Sequence, residues 1–230
     1  MDLIKSGIKG LDELLNGGIQ RNTSLLISGV PGAGKTIFAL HFIYAGAQLN
    51  ESSLFITSEQ KEESVYEYAK TLGFDFKKYD NNITVVHQPV IGRVISFGNI
   101  IDIIKQKKIK RVALDSLTFF SYANTTDINF RKEVLDFLTR MKENGVTVIA
   151  TAEREIGSID NLSFKAEDFL FESIILLLKI RKGSNFERCM TIQKARAQEH
   201  MTGIYPFTIR KTGIEIYPQQ IPFSLNEPGE

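Results

Sequence analysis

Residues Gly29-Val30-Pro31-Gly32-Ala33-Gly34-Lys35-Thr36 fill the pattern G-x-x-x-x-G-K-[ST] between a short apolar run and a segment of helical period. The glycines let the backbone curl so that consecutive N–H groups face one anion, and a helix opening at Lys35 adds the positive end of its dipole. The residue types assign the chemistry. Lys35 reaches the β and γ oxygens of a nucleoside triphosphate, and Thr36 offers its hydroxyl to Mg2+.

Around this loop, short apolar or β-branched runs alternate with longer segments of helical period, the pattern of a mostly parallel sheet with crossover helices. The fold class expected is therefore α/β. Strands are predicted at residues 24–28, 53–57, 83–86, 111–115 and 146–151, and helices at 35–49, 61–72, 97–107 and 129–144. Gly73 and Gly145 stand where helix C-terminal glycines are expected. The final third changes character: 173–181, 187–194, 205–210 and 214–217 read as strands with no helix between them. Turn residues such as Lys182-Gly183-Ser184-Asn185 predict antiparallel hairpins added to one edge of the parallel sheet.

At 230 residues the chain is expected to form one domain over residues 1–218, with 219–230 a loosely ordered tail. The 28 Lys+Arg against 27 Asp+Glu leave a net charge of +1, so no global basic field exists to hold nucleic acid or an anionic membrane. The single cysteine, Cys189, forms no intramolecular disulfide, and one Cys with three His gives no metal-ligand cluster. No charged-then-apolar leader opens the sequence, and the longest apolar run, 174–178, is far too short to span a bilayer. These features together suit a soluble protein of a reducing cytoplasm.

A phosphate loop needs a metal-side carboxylate from another strand. The run Arg111-Val112-Ala113-Leu114-Asp115 ends in one, and Asp115 would hold a water on the Mg2+. Hydrolysis also needs a group that orients or deprotonates water. Glu59, just past the predicted strand 53–57, is the best-placed carboxylate, although its charge could equally support the N-terminus of the next helix. Thr151 could sense the γ-phosphate or be a buried strand residue, and His41 and His87 are read as structural.

Together with these motifs, four stretches carry a wider resemblance: Ser6-Gly7-Ile8-Lys9-Gly10-Leu11-Asp12-Glu13-Leu14-Leu15-Asn16-Gly17-Gly18-Ile19, Phe55-Ile56-Thr57-Ser58-Glu59, Lys194-Ala195-Arg196 and His200-Met201-Thr202-Gly203-Ile204-Tyr205-Pro206-Phe207. Over residues 6–218 the chain resembles the KaiC family of RecA-like ATPases. It is most similar to the ATPase-type repeat of KaiC; where the autokinase repeat has a Ser-Thr pair, this chain reads Glu167-Asp168. The resemblance implies that Gly32, Ala33, Gly34, Lys35, Thr36 and Ile37 bind the phosphates, with Thr71 near the nucleotide, and that Glu59 is the catalytic base. It also implies that Lys194 and Arg196, together with Ala195, Gln198, His200 and Arg210, reach the nucleotide of a neighbouring subunit. On spacing alone, Lys194 and Arg196 would read as a solvated strand edge. Two departures stand out: Gln60 replaces a second glutamate, which implies slow turnover, and Ala197-Gln198 replaces a small Gly-Thr pair.

The function expected is Mg-dependent ATP hydrolysis in a homo-oligomeric ring, a hexamer by likeness, with a regulatory output toward an unidentified protein partner. The alternative is a RadA/RecA paralogue on single-stranded DNA, which should carry Lys, Arg and aromatic residues in its channel loops. Residues 118–129 hold Phe119, Phe120 and Tyr122 with only Asp127 charged, and residues 154–168 balance two basic against four acidic groups, 2 − 4 = −2. That disfavours DNA. A third reading, a scaffold that scarcely hydrolyses ATP, is suggested by Gln60 and opposed by intact Lys35, Thr36, Glu59 and Asp115.

Overall fold

The computed structural model describes residues 2–88, 98–117, 126–154 and 164–225. Nine strands form one mixed sheet: β3 (Ser24–Gly29), β4 (Ser53–Thr57), β5 (Ile83–His87), β6 (Arg111–Asp115), β7 (Thr147–Glu153), β8 (Ser173–Lys182), β9 (Asn185–Ala195), β10 (Ile204–Arg210) and β11 (Gly213–Ile216). Their order is β11-β10-β9-β8-β3-β7-β6-β4-β5. The stretch from β8 to β5 is parallel, and β8 through β11 are joined antiparallel, as the change of pattern in the last third predicts.

The strands read as continuous apolar runs because both sheet faces are covered. Successive residues serve opposite cores: Leu25, Ile27 and Phe55 point into one cluster, Leu26, Leu54 and Ile56 into the other. The first core lies under α2 (Lys35–Gln48), the second under α4 (Gly98–Lys107) and α5 (Asp127–Glu143). α3 (Glu62–Thr71) packs beside β5.

Helix α2 is apolar almost all round, which a helix covered on a single side would not be. Its outer side is covered by the β10–β11 hairpin and the N-terminal segment. Their junction is His41, buried, whose Nε2 accepts the Ile214 N–H at 2.7 Å and whose ring meets Phe74 edge-on at 4.6 Å. Within the N-terminal segment a single helical turn, α1 (Leu11–Leu14), buries Leu11 and Leu14. The chain then reverses through Gly17 and Gly18 so that β2 (Ile19–Gln20) pairs with β1 (Leu3–Ile4); a Cβ on Gly18 would lie 2.4 Å from the Ile4 carbonyl oxygen.

A buried charge ties the layers together. Arg111 opens β6 at 1% exposure; its Nε donates to Glu51 Oε2 at 2.6 Å and its Nη1 to the carbonyls of Lys5 (2.7 Å) and Phe42 (3.3 Å). Cys189 lies fully buried in β9 between Leu178 of β8 and Pro206 of β10. Beyond β11, Glu187 accepts from the backbone of Phe223 and Ser224, at 3.2 and 2.9 Å.

Candidate nucleotide-binding site

The C-terminal ends of the parallel strands open onto a cleft of about 510 Å3, lined on one side by Pro31, Gly32, Gly34, Lys35, Thr36 and Ile37. Its opposite side is Thr57, Glu59, Gln60, Tyr68, Asp115 and Ser116, with Glu153 closing it. Gly32 and Gly34 adopt φ of +70° and +108°, the left-handed backbone that folds the loop over the start of α2. Lys35 is buried, and its ammonium donates to the carbonyls of Gly29 (3.0 Å) and Val30 (3.1 Å) at the loop's own base.

Asp115 is the meeting point. Its Oδ2 accepts the Thr36 hydroxyl at 2.9 Å, and its Oδ1 accepts the hydroxyl of buried Thr151. The Thr57 hydroxyl accepts the N–H groups of Glu59 and Gln60, both at 3.3 Å, which turns the chain after β4 and sets Glu59 on the cleft wall. β4 is not beside β3; β7 and β6 lie between, so Glu59 approaches from beyond Asp115.

The electrostatics follow from enclosure. Burial pushes the Asp115 carboxyl above the usual range against the pull of the two hydroxyls and Lys35. Glu59 is pushed up by burial first, then by the charges of Asp115 and Glu153, while Lys35 opposes. Burial lowers Lys35, countered by Glu153, Asp115 and Glu59. A hydroxyl and a carboxylate aimed at one spot are hard oxygen donors of the kind Mg2+ takes.

Lys194 and Arg196 lie elsewhere. In register, Lys194 stands opposite Ile174 and Ala195 opposite Ser173, which pairs with Leu25; the phosphate loop begins at Gly29, opposite Leu177. Four residues of strand, roughly 13 Å, separate the two levels. Lys194 Nζ donates to the Phe171 carbonyl at 2.6 Å and Arg196 Nη2 to that of Phe169 at 3.3 Å.

The family model described as ATPase: KaiC matches residues 4–221 of this sequence. The chain belongs to the KaiC ATPase family. A circadian clock oscillator protein KaiC from Parasynechococcus marenigrum is 32% identical over 94% of this chain and 44% of its own length. The protein of that name from Synechococcus elongatus is 30% identical over the same shares. The chain thus spans less than half the length of the curated KaiC relatives it matches. A solved KaiC-like protein from the hyperthermophilic archaeon Pyrococcus horikoshii superposes with a TM-score of 0.83 at 32% identity, covering 94% of this chain and 99% of that one.

The remaining positions implied by KaiC likeness scatter. Ala33 is buried beneath the loop. The Thr71 hydroxyl donates to the Tyr68 carbonyl at 2.7 Å, and Tyr68, not Thr71, lines the cleft. Gln198 Nε2 donates to the carbonyls of Leu15 and Gly18, at the same end of the sheet as Arg196. The half-buried His200 ring contacts the Met201 carbonyl at 3.2 Å. Arg210, at the phosphate-loop end of β10, hydrogen-bonds Tyr217 Oη at 3.2 Å. The aromatic residues Phe119, Phe120 and Tyr122, with most of the two expected channel loops, lie outside the described residues.

Some cleft residues escaped the sequence reading. Glu153 reaches the cleft because it pairs with Gly29 in the β3–β7 register. Arg188 lines the cleft, and Lys179, directly opposite it on β8, donates to the Pro31 carbonyl at 3.1 Å. Only strand order would have revealed these three. Among the described residues no group of three or more His, Cys, Asp and Glu is placed to hold a metal, and no helix is long and apolar enough to cross a membrane.

Proposed function

We propose that the chain binds Mg-ATP in this cleft and hydrolyses it slowly, as a cytoplasmic homo-oligomeric ring, hexameric by likeness to KaiC, with a regulatory output toward a protein partner. Residues 1–218 act as one ATPase unit in this reading. The observation that carries it is the 2.9 Å contact between Thr36 and Asp115 beside an intact phosphate loop.

Thr36 and Asp115 would hold Mg2+. When bound, the ion neutralises charge developing between the β and γ oxygens. The backbone around Gly32, Ala33 and Gly34 presents its N–H groups to the phosphates, and Ile37 continues the helix start behind them. Lys35 exchanges the Gly29 and Val30 carbonyls for phosphate oxygens. Glu59 accepts the proton of the attacking water, and its raised pKa suits it to that task. Gln60 orients water but takes no proton, which is the basis for slow turnover.

Lys194 and Arg196 complete the site of the next subunit, joined by Ala195, Gln198, His200 and Arg210. The end of β9 that carries Lys194 and Arg196 lies about 13 Å along the sheet from the phosphate loop of its own chain, which supports action in trans. A cation so placed stabilises the transferred phosphoryl and contributes roughly 10³–10⁵ in rate. Head-to-tail contacts of this kind close into rings.

The test is steady-state hydrolysis by Lys35→Ala, by Arg196→Ala and by their equimolar mixture, with solution mass recorded. Each variant alone should be inactive and the mixture should recover turnover. An Arg196→Ala protein that hydrolyses ATP normally as a monomer would sink the shared site.

A further inference from the structure

We propose that the buried ion pair between Arg154 and Asp168 is a positioning device: it fixes the trans-acting cations Lys194 and Arg196 from the strand end that carries the subunit's own phosphate loop. This rests on the shared-site reading above.

The sequence reading puts Arg154 and Asp168 in a charged candidate channel loop, but the structure buries both. The two side chains are 3% and 2% exposed, and Arg154 Nη2 contacts Asp168 Oδ2 directly. Removing that pair from the loop leaves its charge balance at 1 − 3 = −2, unchanged. Burying two charges is expensive, and apolar residues of the same size would hold the fold as well or better. What the pair supplies instead is direction.

On one side it grips the phosphate-loop strand. Arg154 Nε donates to Ser28 Oγ at 2.9 Å, and the Arg154 N–H donates at 3.2 Å to the Gly29 carbonyl, the same oxygen that takes the Lys35 ammonium at 3.0 Å. On the other side Asp168 shapes the single 3-10 turn Ala166–Leu170. Its Oδ2 also accepts the Lys165 N–H at 2.8 Å, and its carbonyl accepts the Phe171 N–H at 3.3 Å. The carbonyls leaving that turn hold the two cations: Phe169 receives Arg196 and Phe171 receives Lys194. The Arg196 N–H donates to the Glu172 carbonyl at 3.0 Å, which aligns the end of β9 with the same segment. A continuous set of hydrogen bonds therefore runs from Lys35 to Arg196. Freed from Arg154, the turn is free to shift, and a misplacement of about 1 Å at a reacting centre costs about 10²-fold in rate.

The test uses mixed rings, because a positioning defect and a damaged phosphate loop give opposite complementation. Asp168→Asn takes the carboxylate away from the buried guanidinium, so it is run beside the double variant Arg154→Met with Asp168→Leu, which removes both charges and keeps side-chain volume at the site. Each variant alone should lose about 10²-fold in turnover while retaining ATP binding. Mixed with Lys35→Ala, which offers intact cations, turnover should recover at about a quarter of all sites in a random ring. Mixed with Arg196→Ala it should not recover. Recovery with Arg196→Ala but not with Lys35→Ala would place the damage in the variant's own phosphate loop and overturn the proposal, as would wild-type turnover in the double variant. The mixture of Lys35→Ala with Arg196→Ala is the control: if it fails, the shared site falls, whereas its recovery beside a double variant that behaves alike with either mixing partner rejects only the positioning role.

Discussion

Glu59 lies on the cleft wall, exposed to water, yet burial of its carboxyl and the charges of Asp115 and Glu153 push it above the ordinary carboxylate value of 4.5. A base must be deprotonated to act, so turnover falls as the pH drops through that raised value. The acid limb of kcat against pH should stand above 4.5. Removing one contributor, in Glu153→Gln, should move the limb down, and Glu59→Gln should lower kcat by about 10²–10⁴ with ATP still bound. An acid limb that ignores both substitutions would assign the titration to another group. Glu59 and Asp115 were legible in the sequence because each ends an apolar run, where a parallel sheet delivers its side chains to one crevice. Glu153 was not, since its place depends on which strand lies beside β3.

Among the elements, α2 shows how far tertiary context outruns pattern. Its sequence reads as a long helix, but nothing in it announces that a hairpin from the far end of the chain covers its outer side. His41 is the seam. Burial pushes its imidazole down to about 4, against a hydrogen bond to the Gly7 backbone, while the unfolded chain titrates near 6.5. The unfolded state therefore binds more protons between these values. Stability attributable to His41 is fully present above pH 6.5 and declines as the pH falls toward 4, by up to about 3 kcal/mol. Urea unfolding at several pH values should show this slope in the wild type and a shallower one in His41→Gln. Equal slopes would mean that the ring is protonated without loss of its contact to Ile214.

For the molecule as a whole, the element types were readable and their arrangement was not. Strands and helices announce themselves by period, but β4 follows β3 in sequence and stands three places away in the sheet. Parallel pairing is set by contacts far apart in the chain, which a local pattern does not record. Arg111 is a second instance: a charge opening an apolar run reads as a strand end in solvent, whereas it is the buried fastening of β6, α2 and the N-terminal segment. Glu51→Gln would leave that guanidinium without its anion and should lower the unfolding free energy by about 3 kcal/mol, read by denaturant titration. A loss under about 0.5 kcal/mol would reduce the pair to the standing of a surface contact.

The chain holds a single cysteine, and Cys189 lies fully enclosed, its thiol pushed up to about 12 by burial and then by the charge of Glu187. At neutral pH it offers almost no thiolate and no path for a reagent. Modification by a water-soluble disulfide therefore requires the cover over this face of β9, which includes the Ser224 hydroxyl in contact with the thiol, to lift. The rate of that reaction is a built-in stopwatch for the lifting of this cover, and comparing it with and without ATP would time the breathing of the molecule without any introduced cysteine.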